Sequence, residues 1–321
     1  MLDLSFDALV SAKFRVTADS PVIRHPLGPV IADPSLLTPD LSPDGRWHLF
    51  AHSLAGVRRY VSDDGFSFSG GRVLFRRAMR PDIKRVGGEY ILTFERVQPL
   101  LPRGLTLLGG RWKSEIWVSR SPDLVTFSEP RPLLVHDGRD SERAGKGWAL
   151  SNPFLLEDDG KFRLYYSSGL TFVKDCGFSE PTHICLAESD LPLAGYVKRP
   201  QPLISPDPSS ELFNICSGCL KVYRLRDGYA GVQNGIYNKD GRSESAINLL
   251  RSDDGVKFEF VRTLIAPARD GSWMSQFVYA SHLVRTPEGE LRLYFNARNR
   301  ADVLGTEHIG FAFCGAQKLA G

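Results

Sequence analysis

Three carboxylate residues in the sequence are candidates for proton transfer. Asp33 precedes a proline, and Glu95 follows a run of strand-forming residues. Asp82 lies two residues after Arg80, on the same face of a predicted strand. Two carboxyl groups act as acid and base when their environments set their pKa values apart. We interpret Asp33 as the catalytic base or anchoring carboxylate, and Asp82 and Glu95 as candidates for the second group. Each has a structural alternative, as a turn cap or as the ion-pair partner of an arginine close in sequence.

Eight other residues are candidates for holding a small molecule. They supply amides, a hydroxyl, basic groups and an aromatic ring, which provide hydrogen bonds and a stacking surface for a polar ligand. Trp148 has packing as its alternative role, and His282 is equally interpretable as a buried core residue. A lone histidine makes no metal site, so we expect neither a metal nor another cofactor. The candidates are His52, Arg80, Trp148, Asn152, Ser217, Asn234, His282 and Arg298.

The five cysteines favour a reducing compartment, because an odd number cannot all form disulfides. Cys216 and Cys219 form a Cys-x-x-Cys sequence of the kind that binds metals or cycles between thiol and disulfide. The flanking residues predict a strand, in which positions three apart point to opposite faces, so the pair makes a poor chelate. We interpret these cysteines as buried thiols.

The composition predicts a protein that binds small molecules, not nucleic acid or a membrane. The chain has 321 residues, a formal net charge of +3 and no run of Lys and Arg. Acidic residues stand where a signal peptide would carry basic ones, and no segment approaches the roughly 20 apolar residues that cross a bilayer. We expect a cytoplasmic protein that acts on a small molecule. Its oligomeric state stays open.

Two repeated signals predict the elements that position these residues. The first is a turn dipeptide with glycine between two runs of strand-forming residues. Glycine supplies the positive φ that tight turns require, so each copy predicts a β-hairpin. The second signal, after four of these hairpins, is a turn with Asp that follows a third strand and leads to a fourth. The five dipeptides are Asp44-Gly45, Gly87-Gly88, Asp159-Gly160, Asp227-Gly228 and Glu288-Gly289.

Units of four short strands are typical of propeller blades. We therefore predict an all-β fold, a single five-bladed β-propeller with four-stranded antiparallel blades around a central funnel. The first strand of each blade starts at the funnel, where chemistry is expected. The fifth unit lacks an outer strand, which we expect residues 1–20 to supply as a closing strand. The single domain spans 1–321, with blades at approximately 21–75, 76–136, 148–205, 211–266 and 273–321.

Three long segments, 98–112, 137–146 and 171–182, are predicted to cover the mouth of the funnel, because long connections in compact domains are often functional. Glu211, just before the fourth inner strand, is a weaker candidate for an acid. These segments and this residue extend the predicted site beyond the strand ends.

The starts of the inner strands resemble motifs of five-bladed glycoside hydrolases. Ala32-Asp33-Pro34 resembles the first blade of family 43, and Arg80-Pro81-Asp82 resembles its second-blade Ala-Pro-Asp motif. Ser151-Asn152-Pro153 resembles the third-blade Ile-Asp-Pro motif. Families 32 and 130 are similar in architecture. The resemblance implies a glycoside hydrolase fold in which Asp33 is the general base. It also implies a small-molecule or oligosaccharide substrate, that is, a glycoside or another polyhydroxylated molecule, with Trp148 able to stack on a sugar ring.

Two positions depart from the family 43 pattern. The third-blade Asp, which tunes the pKa of the acid in that family, is Asn152 here, and the fourth-blade Glu-Gly-Pro, whose Glu is the general acid, reads Ser217-Gly218-Cys219. Asparagine carries no charge, and serine is a poor proton donor near neutral pH. We therefore expect a glycoside hydrolase-like enzyme that uses Asp33 with a different acid. Two alternatives stay open: a carbohydrate-binding propeller without catalysis, and transfer or phosphorolysis with basic candidates holding an anion.

Overall fold

The computed structural model describes residues 2–17, 20–24, 29–99 and 111–315, and within them the chain is almost entirely β. This part of the chain contains 21 strands and one α-helix of six residues, Phe6–Ser11. No helix in these ranges is long and apolar enough to cross a membrane. The prediction of an all-β fold is confirmed.

The described strands form three four-stranded antiparallel sheets and one nine-stranded sheet. The first sheet contains β2 (Ile31–Leu37), β3 (Trp47–Ser53), β4 (Gly56–Ser62) and β5 (Ser69–Phe75). The nine-stranded sheet contains β6 (Ala78–Val86), β7 (Glu89–Val97), β8 (Lys113–Ser121), β9 (Arg131–Leu134), β10 (Arg143–Ala144), β11 (Gly147–Asp158), β12 (Lys161–Val173), β13 (Phe178–Ser189) and β14 (Val197–Lys198). The third sheet contains β15 (Cys216–Leu225), β16 (Gly228–Lys239), β17 (Arg242–Ser252) and β18 (Glu259–Ile265). The last contains β19 (Phe277–Arg285), β20 (Leu291–Arg298), β21 (Glu307–Cys314) and β1 (Arg15–Val16).

The nine-stranded sheet consists of two hairpin series of four strands each, joined at one end, and of the short strand β10, which pairs with β11 and β12. Strands β6 to β9 form the first series and β11 to β14 the second, each with antiparallel neighbours. The series meet where β11 runs parallel to β8 over two residue pairs, Trp148 with Lys113 and Ala149 with Ser114. A short pairing thus links two units that otherwise resemble the four-stranded sheets.

The N-terminal segment completes the last sheet. Strand β1 pairs antiparallel with β21, with Arg15 opposite Phe313. The helix that precedes β1 buries its apolar side chains Phe6 and Leu9. An outer strand from the other end of the chain covers N–H and C=O groups that would otherwise stay unpaired at a sheet edge.

Apolar layers between neighbouring sheets form the core. Between the first sheet and the β6–β9 series, one such layer packs Leu37 and Phe50 against Ile83 and Phe94, all of them buried. Burial of apolar surface contributes about 25 cal/mol per Å². These layers hold the inner strands β2, β6, β11, β15 and β19 side by side, so that their starts open into one common space.

Buried tyrosines connect neighbouring sheets by hydrogen bonds. Tyr165 of β12 donates to the carbonyl oxygen of Gly255 at 2.8 Å, and Tyr294 of β20 donates to that of Gly65 at 2.8 Å. Both glycines have positive φ, at 72° and 75°, in the turn after the third strand of a sheet. In the first sheet Asp64 holds that turn by accepting two backbone N–H groups at 2.7 and 2.8 Å. The second tyrosine ties the last sheet to the first.

Candidate functional site

Each inner strand has a one-residue bulge near its start, where two of its residues face a single residue of the next strand. The first bulge residue has positive φ in three strands: 55° at Asp33, 51° at Arg80 and 47° at Asn152. In β15 the positive φ falls on Gly218, at 70°. A bulge bends the strand and changes the direction of a side chain. Side chains from successive sheets are thereby turned into the same space.

The bulges surround a cavity of about 300 Å³, which we call the bulge cavity. Residues from all the sheets line it, so the site exists only when the sheets are assembled. The cavity contains carboxylates, arginines and amides beside a few apolar side chains. It brings together six of the predicted residues: Asp33, His52, Arg80, Asn152, Asn234 and Arg298.

Asp82, a predicted catalytic residue, does not line the bulge cavity. Because of the bulge, Arg80 takes the position in β6 that Asp33 takes in β2, and Asp82 lies further along the strand. Asp82 is fully buried and accepts hydrogen bonds from Ser35 Oγ at 3.2 Å and from the Leu155 N–H at 2.9 Å. These hydrogen bonds join three inner strands, so Asp82 has a structural role in place of the predicted catalytic one.

Glu95, the other candidate for the second catalytic group, lies behind the wall of the bulge cavity. Its side chain is 1% exposed, and Arg80 donates to its Oε2 at 2.5 Å. Burial by itself lowers the pKa of Arg80, but the charges of Glu95 and Asp33 more than reverse this and raise it. The arginine next in sequence, Arg96, donates instead to the carbonyl oxygen of Arg76. Glu95 thus holds and neutralises Arg80.

Three predicted binding residues lie away from the bulge cavity. Trp148 stacks on His136 with ring centroids 5.5 Å apart and is not part of the wall. Ser217 is fully buried, and its Oγ has no hydrogen-bond partner among the described residues; Gly218 lines the cavity in its place. His282 lines a different cavity, at the opposite end of the inner strands.

Asp33 is held as an ionised carboxylate in the wall of the bulge cavity. His52 Nδ1 lies 3.1 Å from Asp33 Oδ2, and the backbone N–H of Asp33 donates to Asn296 Oδ1 at 3.1 Å. Burial raises the pKa of Asp33, but the hydrogen bond from His52 and the charges of His52, Arg80 and Lys221 outweigh it and bring the pKa below its ordinary value. The carboxylate is therefore available as a base at neutral pH.

Glu180, which the sequence analysis missed, also lines the bulge cavity. Burial raises its pKa to about 8, and the charges of Glu307 and Asp33 add to this effect against the opposing charge of Arg80. The Tyr279 hydroxyl is buried beside Glu180 and has no hydrogen-bond partner among the described residues. At neutral pH Glu180 therefore carries a proton, whereas Asp33 does not.

A second missed carboxylate, Glu307, belongs to a network that reaches Asp33. It lies opposite Arg298 on the neighbouring strand and accepts from Arg298 Nη1 at 2.8 Å. Asn296 Nδ2 donates to its other oxygen at 3.1 Å, and the same amide accepts from the Asp33 N–H. Burial raises the pKa of Glu307 against the opposing charge of Arg298.

Both missed glutamates lie near the start of a third strand, whereas the predicted residues lie on first and second strands or just before an inner strand. Glu180 stands four residues before Ile184, and Glu307 two residues before Ile309, each on the same face of its strand. This period-two alternation, continued backwards from the apolar residues, is the signal that identifies both positions from the sequence.

The predicted covers of the funnel differ from the observed structure. Residues 100–110 of the first segment lie outside the described residues. The segment 137–146 does not line the bulge cavity. Most of the segment 171–182 belongs to the paired ends of β12 and β13 and is therefore not a loop. From this hairpin Phe178 contributes an aromatic side chain to the cavity wall, which is the role expected of Trp148.

The chain has the fold of glycoside hydrolase propellers. An N-acetylgalactosamine deacetylase from F. plautii, solved with blood group B trisaccharide, is 14% identical with a TM-score of 0.65, over 96% of this chain and 97% of that chain. The catalytic domain of a GH62 alpha-L-arabinofuranosidase from Coprinopsis cinerea is 14% identical with a TM-score of 0.63, over 95% and 98%. A thermostable family-43 glycoside hydrolase is 14% identical with a TM-score of 0.63, over 89% and 91%.

No known protein family matches the sequence, and no curated protein matches it. At identities of 14% the likeness concerns the fold alone. The predicted resemblance to glycoside hydrolase propellers is therefore confirmed for the fold. The activity has to be argued from the residues of the bulge cavity, because one fold supports many chemistries.

Proposed function

We propose that this protein is a glycoside hydrolase whose acid–base pair is Asp33 and Glu180. One observation carries the proposal: the two carboxyl groups line the same cavity, and their pKa values are displaced in opposite directions. One group carries a proton at neutral pH and the other accepts one, as glycoside cleavage by two carboxyl groups requires. The acid comes from a position other than the one that the family 43 pattern implies.

In the proposed reaction Glu180 donates its proton to the glycosidic oxygen as the bond from that oxygen to the anomeric carbon breaks. Asp33 takes a proton from a water molecule whose oxygen bonds to the anomeric carbon. Products are a free sugar and the alcohol of the leaving group. The cycle closes when Asp33 releases its proton to solvent and Glu180 takes one up. His52 holds the Asp33 carboxylate in place throughout.

The substrate is proposed to end in an uncharged sugar. Both arginines of the cavity wall are already paired, Arg80 with Glu95 at 2.5 Å and Arg298 with Glu307 at 2.8 Å. These pairs neutralise the charge of both guanidinium groups, which disfavours an anionic substituent. The cavity volume is at the lower end of the range of about 300–1,000 Å³ for small-molecule sites, which favours a terminal sugar over an internal segment of a polymer.

We also propose that the propeller has five blades and that the protein works in the cytoplasm. The blades would be β2–β5, β6–β9, β11–β14, β15–β18, and β19–β21 with β1. The parallel pairing of only two residue pairs between β8 and β11 supports dividing the nine-stranded sheet in this way. The five cysteines are free and buried, which supports a reducing compartment.

The function is tested with a panel of aryl glycosides and neutral oligosaccharides, on the wild type and on Asp33→Asn. Turnover that disappears in the variant supports hydrolysis at the bulge cavity. The competing function is a carbohydrate-binding propeller without catalysis, which the uncharged Asn152 and the buried Ser217 favour. Sugar binding measured by calorimetry without turnover of any panel member would replace the hydrolase proposal by that one.

A further inference from the structure

A second cavity, of about 770 Å³, lies at the opposite end of the inner strands, and we call it the far cavity. It is lined by the ends of β2, β6, β11, β15 and β19 and by the turns that follow them. Asp33 and Glu180 line only the bulge cavity. The proposed hydrolysis therefore gives the far cavity no role.

Four hydrogen-bond donors surround one aromatic ring at the floor of the far cavity. Lys84 Nζ lies 3.7 Å from the centroid of the Phe154 ring, and Lys221 Nζ lies 5.2 Å from it. The rings of Tyr223 and His282 have centroids 5.4 and 6.2 Å from the same ring. The floor thus combines two cations with two neutral polar side chains.

The positive charge of this floor exceeds its negative charge. Lys84 Nζ lies 3.2 Å from Asp82 Oδ1, and Asp82 already accepts two other hydrogen bonds. Lys221 is 3% exposed and forms no ion pair with any residue in the described ranges. Burial lowers the pKa of Lys84, and the charge of Lys221 adds to this against the opposing charge of Asp82. In the described part of the chain Lys221 therefore has no counter-charge in direct contact, only the more distant carboxylate of Asp33. A buried ammonium group without a direct ion pair is costly, so an anion at this floor is favoured.

Two polar groups at the floor have unused hydrogen-bonding capacity. His282 is 5% exposed, and its Nδ1 has no hydrogen-bond partner among the described residues. The Tyr223 oxygen accepts from the Leu283 N–H at 2.8 Å, and within the described ranges its own proton has no acceptor. Buried polar groups are normally paired, so the free hydrogen-bonding capacity of these two side chains favours a polar ligand over an apolar one at this floor.

We propose that the far cavity binds an oxyanion, either free phosphate or sulfate or the same group on a small molecule. Lys84, Tyr223 and His282 line the cavity, and the Lys84 side chain is 22% exposed, so its ammonium group is accessible. Lys221 adds positive charge from behind the floor. The cavity is much larger than one phosphate, which leaves room for a ligand that carries the oxyanion at its inner end.

The test measures thermal unfolding and calorimetric binding with inorganic phosphate and sulfate, against chloride at equal ionic strength. In the wild type we expect a saturable rise in Tm, because a ligand that binds only the folded state stabilises it. Lys84→Met should weaken phosphate binding by about tenfold or more, because a charge-assisted hydrogen bond is lost. Lys221→Met should also weaken phosphate binding, and this variant provides the test if Lys84→Met folds poorly.

Two control variants separate the far cavity from other sites. Lys239→Met removes an exposed lysine at the end of β16, and Arg298→Met removes a cation of the bulge cavity. Both should leave phosphate binding unchanged. The proposal is overturned if the wild type shows no saturable effect, if both floor-lysine variants bind phosphate like the wild type, or if only Arg298→Met loses binding. A phosphate monoester that binds more tightly than inorganic phosphate would identify a small molecule as the ligand, and equal affinity would identify the free anion.

Discussion

Replacing Glu180 by glutamine tests the proposed acid directly. Glutamine keeps the size and polarity of the side chain but cannot donate an acidic proton. We expect kcat for glycosides with poor leaving groups, such as alkyl glycosides, to fall by about 10²–10⁴, the usual contribution of general acid catalysis. A 2,4-dinitrophenyl glycoside should lose far less, because its leaving group departs without protonation.

The pKa of Glu180 sets the size of the pH effect. With a pKa of about 8 the acid is protonated in about 90% of molecules at pH 7, whereas the ordinary pKa of 4.5 would leave about 0.3% protonated. Activity requires the protonated form, so kcat/KM of the wild type should fall as the pH rises through about 8. In Glu180→Gln this decline should disappear from the residual activity on the alkyl glycoside, and the dinitrophenyl glycoside should show little decline with either enzyme.

The assay compares the pH profiles of both substrates for the wild type, Glu180→Gln and Glu211→Gln. Glu211 is exposed and does not line the bulge cavity, so its variant controls for the chemical change from Glu to Gln. Equal loss on both substrates, or a decline near pH 8 that persists in Glu180→Gln, would refute the reasoning that Glu180 is the acid. Another group with a raised pKa would then have to be sought.

Three further substitutions address the base and the frame of the site. Asp33→Asn should lower kcat by about 10³ or more on both substrates, because loss of the base affects every leaving group alike; a loss confined to the alkyl glycoside would contradict this. Glu95→Gln should reduce the free energy of unfolding in urea by about 3 kcal/mol, because it leaves the charge of Arg80 unpaired; a change below about 1 kcal/mol would argue against that pair. Gly218→Ala places a Cβ 1.8 Å from a backbone oxygen and should cost about 3 kcal/mol, whereas Gly45→Ala, at a similar φ with nothing within 4 Å, should cost about 1 kcal/mol; equal losses would contradict the steric explanation.

The strands of this protein are largely evident from its sequence. Turn dipeptides such as Asp159-Gly160 and Gly87-Gly88 stand between paired strands, because a two-residue turn fixes the register of a hairpin through local backbone geometry. The prolines after Asp33, Arg80 and Asn152 mark the starts of inner strands. These are local properties, and a sequence records them over a few neighbouring residues.

The composition of the site is decided by the tertiary structure. The bulge near the start of β6 places Arg80 in the position that Asp33 has in β2, so Arg80 lines the cavity and Asp82, two residues further along the strand, does not. The proposed acid, Glu180, lies 147 residues from Asp33 and reaches the same cavity only through the packing of separate sheets. Its pKa depends on the burial and charges that this packing creates. No pattern of neighbouring residues carries such information, because burial is a property of the assembled sheets.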